Sequence, residues 1–365
     1  MKEIKLFEMF AGYGGASFAL KKIGIEYEVV GYSEIDKYAI QCYNNNFPNI
    51  KNYGDCREID PNKLPDFNLL TGGFPCQAFS IAGKNKGELD PRGTLFYDII
   101  RIAEIKKPIF MLLENVKGLT FKKHKETFNK ILSELDRIGY VVKWKILNSK
   151  DYGIPQNRER VWFVCFLKEI DTTKFKFPNK EELKIFIKDI LEDEVDEKYF
   201  LNEKQIKRIM VKSRGFNEII VKKKCSPILC QLNNPKHSND RVYSNKGLSP
   251  TLNSMQGGNR QPFIKLIGNY SPSNYDSSRI VSKDGIAPAV KENHGTITAT
   301  QLDNFKIRKL TPKECFRLMG FLNDEINIDG LSDTQKYKLA GNGWDINLVY
   351  KIFNEMFKIT MPRNS

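Results

Sequence analysis

Cys76 lies in the run GGFPCQAFS, directly after Pro75 and just past the strand-like segment DFNLLTGG. A small thiol on a stiff turn at the end of a parallel strand is placed like a nucleophile. Most cysteines are inert and buried, and the other six (Cys42, Cys56, Cys165, Cys225, Cys230, Cys315) lack such a setting. Glu114 and Asn115 end the apolar run PIFMLLEN. A carboxyl there either caps the next helix or stands as a partly desolvated acid beside Cys76. Arg158 and Arg160 alternate within QNRERVWFV. Side chains two apart on a strand share a face. Two guanidinium groups on one face suit a phosphate or a pyrimidine carbonyl.

A second constellation lies nearer the start. FAGYGGASFAL follows an apolar strand and opens a helix, with Gly12, Gly14 and Gly15 in the turn. Glycines there let the backbone turn tightly and approach a ligand. Such a turn fits a nucleotide, a dinucleotide, S-adenosylmethionine or no ligand at all, and only its first two glycines match G-x-G-x-x-G. Glu34 ends the next strand, where a carboxylate accepts ribose hydroxyls. Asp55, in YGDCREI, follows another strand-like segment and could accept from an adenine amino group. Each acid alone reads equally as a cap or a solvated side chain. Their order at successive strand ends is what gives them weight. The run GKNKGELDPRGT after Cys76 is charged and glycine-rich, suited to a lid.

The elements that must position these residues alternate. Strand signals at EIKLFEMF, EYEVVGYSE, DFNLLTGG and PIFMLLEN are separated by helical ones, the last with Phe128, Ile131, Leu132, Leu135 and Ile138 on one face. Two more strands surround Trp144 and Trp162. This is an α/β pattern with a mostly parallel, doubly wound sheet, whose sites lie at the carboxyl ends of strands. The alternation stops near Phe177. Residues 179–223 are rich in Lys and Glu and expected to be partly helical. Residues 225–300 carry Asn, Ser, Gly and Pro with short β-like runs, and RVYSNKGLSPTL resembles RIVSKDGIAPAV further on, each reading as strand, glycine turn, strand. Helical signals return from Ile307. The expected organisation is a catalytic domain over 1–180, a smaller β-rich domain over 181–305, and a return to the first domain over 306–365.

At 365 residues the chain has room for about two domains. Its net charge of +14 suits a polyanionic partner, or reflects lysine as the default surface residue. An odd number of cysteines, no C-x-x-C pair and three histidines argue against a zinc site. The cysteine usage suggests reduced thiols inside a cell. No apolar run approaches the roughly 20 residues of a membrane helix, and the first residues do not read as a signal peptide.

In order, FAGYGG, SEID, GDCREI, GGFPCQAFS, RGTLF, LLENVKGL, QNRER, LTPKECFRLMGF and AGN resemble the cytosine-5 DNA methyltransferase family. The likeness covers residues 4–168 and 307–350. It implies a Rossmann-like S-adenosylmethionine-dependent domain and a smaller target-recognition domain, with double-stranded DNA held between them. It further implies that Cys76 adds to carbon 6 of a flipped-out cytosine, that Glu114 holds ring nitrogen 3, and that Arg160, with Arg158 as second candidate, binds the carbonyl at carbon 2. Around the cofactor it implies Phe10, Gly12, Gly14 and Gly15, with Glu34 on the ribose and Ile35 on the adenine. Asp55 and Cys56 edge the adenine, and Pro75, Leu95 and Asn342 complete the pocket. Ser80 and Arg92 become phosphate contacts, Arg241, Arg260 and Arg279 candidate DNA contacts. Either Thr251 and Leu252 or Thr296 and Ile297 form the Thr-aliphatic pair of such recognition domains. The setting implied is a monomer acting in the cytoplasm as the modification enzyme beside a separate restriction endonuclease. Rival readings are a tRNA cytosine-5 methyltransferase, a non-catalytic DNA-binding regulator and a hydride-transfer enzyme. One departure stands out. The family's final motif usually reads Gly-Asn-Ser or Ala, then an aliphatic residue and Pro, whereas this chain has Gly341, Asn342, Gly343, Trp344 and Asp345. Asp345 is expected to cap the last helix.

Overall fold

The computed structural model describes residues 3–74, 94–200, 202, 242–244, 248–250, 263–266 and 306–359. Its centre is a six-stranded sheet in the order β2-β1-β3-β4-β7-β5. These strands are β1 (Ile4–Met9), β2 (Tyr27–Ser33), β3 (Leu69–Gly73), β4 (Phe110–Val116), β5 (Tyr140–Asn148) and β7 (Glu159–Leu167). Strands β1 to β4 run parallel. Helices α1 (Gly15–Ile23), α2 (Lys37–Asn46), α3 (Thr94–Lys106) and α4 (Lys125–Arg137) follow the strands as the alternation predicts.

The strands around Trp144 and Trp162 are the exception to parallel pairing. β7 is antiparallel to both β4 and β5. Residues 149–158 join β5 to β7 with a 3₁₀ turn and the two-residue strand β6 (Gln156–Asn157). A parallel return needs a dozen or more residues, usually including a helix. That connection is too short, so the chain reverses and β7 slots between its neighbours.

Both faces of the sheet are covered, and the side chains alternate between them. On β4, Met111 and Leu113 face a core with Ile99, Ile131 and Leu135 of α3 and α4. Phe110 and Leu112 face the opposite core. On β7, Val161, Phe163 and Cys165 join the first core, and Trp162, Val164 and Phe166 the second. The second core is closed by Ala16, Ala19 and Leu20 of α1 against Leu348, Val349, Ile352, Phe353 and Met356. Those last residues belong to the helix Ile346–Phe357, α7.

The C-terminal elements are the strand β11 (Lys306–Lys309) and helices α5 (Pro312–Arg317), α6 (Asp333–Asn342) and α7 (Ile346–Phe357). Each helix start is specified locally. Thr311 with Glu314 and Ser332 with Gln335 form capping boxes. Asp345 caps α7 as expected, accepting from the Asn347 and Leu348 amides. A fully buried Arg308–Glu314 pair at 2.7 Å fastens β11 to α5.

The expected helicity after Phe177 is absent from the described residues 179–200. They carry only 3₁₀ turns, Ile187–Ile190 and Glu197–Tyr199. Ile187 and Ile190 are three residues apart, the spacing of a 3₁₀ turn. Both bury against the Phe316 and Phe321 cluster, so packing overrides a helix-favouring composition. Beyond this segment, β8 (Val242–Ser244), β9 (Ser249–Pro250) and β10 (Phe263–Leu266) are described. β8 and β9 fall in the first copy of the repeat but do not pair with each other. β8 joins β10 and β11 in a separate sheet, and β9 pairs with β6. The second copy lies outside the described residues.

Candidate active site

The carboxyl ends of β1, β2, β3 and β4 converge on one region, and the antiparallel β7 begins there. Glu114 of β4 lies opposite Trp162, and Val116 opposite Arg160. Glu114 and Arg160 are therefore diagonal neighbours on one face, the spacing at which long side chains meet across strands. Arg160 Nε donates to Glu114 Oε1 at 2.8 Å, with both side chains largely buried. Such a pair presents charge already oriented and largely shielded from water.

Asn115 points to the other face and is buried. Its amide donates to the Phe74 carbonyl at 2.8 Å, and its carbonyl oxygen accepts from the Val116 amide. This fastens the end of β3 to β4 two residues before Cys76. Cys76 itself, with Pro75, Ser80 and Arg92, lies outside the described residues, as do Arg241, Arg260 and Arg279 and both Thr-aliphatic pairs.

The glycine turn is built for close approach. Gly12 has φ +57 and open space where a Cβ would stand, a conformation disfavoured for side-chain-bearing residues. Its amide donates to Glu34 Oε2 at 2.9 Å, while Glu34 Oε1 accepts from the Ile35 and Asp36 amides. Glu34 thus joins the first turn to the start of α2. Ile35 is 70% exposed, an apolar surface beside that carboxylate. Phe10 also takes a left-handed backbone, φ 54, and is half-buried. Phe10, Gly12, Gly15, Glu114 and Asn342 line one cavity of about 60 Å³, together with Gly73 and Trp344.

Other expected residues have their side chains engaged elsewhere. Both Asp55 oxygens accept from the Arg57 guanidinium, and that pairing holds the Asp55 carboxyl below its usual range. Cys56 is buried, which pushes its thiol up to about 12, and its carbonyl accepts from the Arg101 guanidinium at 2.8 Å. Leu95 packs at the margin of the α3 core.

Arg158 parts company with Arg160. It is 4% exposed. Its guanidinium donates to the Gly343 carbonyl at 2.8 Å and to the Gly341 carbonyl at 3.3 Å. Burial, with Arg160 nearby, pulls its proton affinity down to about 9, still charged at neutral pH. The shared-face expectation therefore gives two arginines with different partners, one on Glu114 and one on the turn before α7.

Tyr13 and Glu8 escaped sequence reasoning, and Trp344 was noted only as a departure from a motif. Trp344 stands edge-to-face on Trp162 at 5.1 Å. A Cβ on Gly73 would come within 2.9 Å of its indole nitrogen, and one on Gly15 within 3.1 Å of its Cβ. Gly73 and Gly15 are small because Trp344 fills their space. Tyr13, buried, donates its hydroxyl to the Trp344 carbonyl. Glu8 of β1 is buried against the start of α1, accepting from Ala16, Ser17 and Tyr43, and burial raises its carboxyl above the usual range. Only the Trp344 departure carried a signal in the sequence.

Comparison with known proteins identifies the family and the fold. The solved structure of the Entamoeba histolytica methyltransferase EhMeth superposes with a TM-score of 0.67 over 98% of this chain and 99% of that one, at 21% identity. The orphan methyltransferase M.SPBetaI of Bacillus phage SPbeta is 32% identical, with both chains covered completely. The type II methyltransferase M.HhaI of Haemophilus parahaemolyticus is 33% identical over 96% of this chain and 93% of its own. The family model for C-5 cytosine-specific DNA methylases matches residues 4–358. On that match, which takes in both the glycine turn and the Glu114–Arg160 pair, the chain belongs to the C-5 cytosine-specific DNA methylase family and is a DNA cytosine-5 methyltransferase.

Proposed function

We propose that this enzyme methylates carbon 5 of a cytosine flipped out of a short, specific duplex sequence, through a covalent bond from Cys76 to carbon 6. The observation that carries the reading is the Glu114–Arg160 pair at 2.8 Å. It stands in one fold region with the Phe74 carbonyl that Asn115 holds and with the glycine turn.

Carbon 5 of cytosine is a poor nucleophile. Addition of the Cys76 thiolate to carbon 6 breaks the ring's aromaticity and makes carbon 5 enamine-like. Glu114 holds a proton at ring nitrogen 3 and so draws off the charge that addition creates. Arg160 orients that carboxylate and donates to the carbonyl at carbon 2. Loss of the carbon 5 proton and expulsion of Cys76 restore aromaticity after methylation. A base inside a stacked duplex offers no room for this, so it is extruded first.

S-adenosylmethionine, when bound, supplies an electrophilic methyl group. The residues present fit it: an open glycine cradle at Gly12, a carboxylate at Glu34 and an exposed apolar Ile35 lie side by side. Phe10, Gly14, Gly15, Pro75, Leu95 and Asn342 would complete the site, with Asp55 and Cys56 at its adenine edge.

Residues 181–305 would form the target-recognition domain, with Ser80, Arg92, Arg241, Arg260 and Arg279 as candidate DNA contacts. The net charge of +14 supports a phosphate-rich partner. Type II names among the relatives support a modification role beside a restriction endonuclease, and the enzyme would act as a monomer. Orphan names among other relatives carry the alternative of an enzyme without one. Tritiated methyl transfer to unmethylated duplex DNA and, in parallel, to tRNA tests the reading. Label in one short DNA motif, absent with Cys76→Ala, supports it. Label in tRNA alone overturns it.

A further inference from the structure

Arg158 lies just before β7, two residues from Arg160, yet its guanidinium is buried against the backbone of a turn more than 180 positions further along the chain. That segment, residues 341–344, is the last residues of α6 with the turn that leads to α7, and it supplies Asn342, Gly343 and Trp344 to the cavity. It is held from two sides. Arg158 takes the carbonyls of Gly341 and Gly343 in its fork, at 3.3 and 2.8 Å. From the glycine turn, Tyr13 donates its hydroxyl to the Trp344 carbonyl. A Cβ on Gly343 would fall 1.9 Å from the Tyr13 ring, so the turn fits against that ring only as glycine. The start of α7 is fixed in turn by Asp345.

We propose that Arg158 is a positioning residue for the methyl-donor pocket and makes no contact with the target base. Its fork sets the depth of the 341–344 turn, and Tyr13 sets its lateral position. Because Arg158 and Arg160 are separated only by Glu159, the wall of the donor pocket and the Glu114–Arg160 pair share one short stretch of backbone. The inference rests on the donor site proposed above.

Arg158→Lys tests it. Lysine keeps the charge but cannot reach two carbonyls as a planar fork. The expected result is a KM for S-adenosylmethionine raised tenfold or more, with weakened binding of S-adenosylhomocysteine by direct titration. KM for duplex DNA should stay within twofold and kcat within threefold. Amide hydrogen exchange of residues 341–345 should quicken. Unchanged donor KM with a fallen kcat or a raised DNA KM would put Arg158 on the base and overturn the proposal. So would unchanged exchange in the turn. Should Arg158→Lys not fold, Tyr13→Phe removes the other hold on the turn. It should raise the donor KM threefold or more and quicken the same amides, and no change in either overturns the two-sided clamp. A wild-type protein that neither binds S-adenosylhomocysteine nor methylates DNA defeats the donor-site reading instead. The exchange readout on the turn still judges the clamp.

Discussion

Glu114 and Arg160 bring two charges together without water between them. Arg160 offers Nε to Glu114, and neither side chain is more than 15% exposed. Removing one partner strands the other, which costs more than the pair itself contributes. Glu114→Gln is isosteric and keeps a hydrogen-bonding group, yet cannot move a proton at ring nitrogen 3. It should lower kcat by about 10²- to 10⁴-fold with little change in KM for DNA, measured by steady-state methyl transfer. Glu114 and Arg160 were legible in the sequence because each ends or begins an apolar strand, and strand ends are where α/β sheets place their chemistry. The partner of Arg158 was not legible. Alternation says which face a side chain takes but not which distant turn will lie there. Asp55 shows the same limit, since nothing in its strand-end position announced that Arg57 would occupy its oxygens.

The elements are tied together by caps that also bridge the two ends of the chain. Asp36 caps α2 through the Tyr38 and Ala39 amides and pairs with Lys338 of α6. Burial alone would raise its carboxyl, but Lys338 and the two amides outweigh this and hold it below the usual value. A lowered folded-state pKa adds stability that is fully present above the unfolded value of about 3.9 and is lost as pH falls through the folded one. Asp36→Ala should cost about 1 kcal/mol at neutral pH. Asp36→Asn should keep the cap and flatten the acid limb of the stability curve. Urea unfolding between pH 3 and 7 measures both. At this scale the helix and strand pattern of the described residues was readable almost throughout, because the inner strands β1, β3, β4 and β7 are buried on both faces and read as mostly apolar runs. The antiparallel β7 was hidden in the shortness of its connection. The turns over 187–199 were hidden because their form is set by contacts with residues more than 100 positions away.

For the whole molecule, the closing element is α7. It follows residues 181–305 in the chain and covers the sheet face opposite α3 and α4, against α1. Phe353 is fully buried there and stacks on Phe357 at 5.5 Å. Phe353→Ala should destabilise the protein by about 3–5 kcal/mol, read from the denaturant midpoint. Donor binding should weaken with it, because α7 carries the 341–344 turn at its start. The net charge of +14 belongs to this scale too, as the field that draws a polyanion to the surface rather than as any one contact.

The proposed reaction turns on a bond from Cys76 to carbon 6 of the target cytosine. A duplex carrying 5-fluorocytosine at the mapped site replaces the proton that must leave carbon 5 with a fluorine that cannot, so an adduct once methylated has no exit. Incubation with S-adenosylmethionine, denaturation and peptide mapping by mass spectrometry should recover one DNA-linked peptide, joined at Cys76. Recovery of no adduct from an enzyme that methylates the ordinary duplex, or of one joined at another cysteine, would rule out Cys76 as the nucleophile.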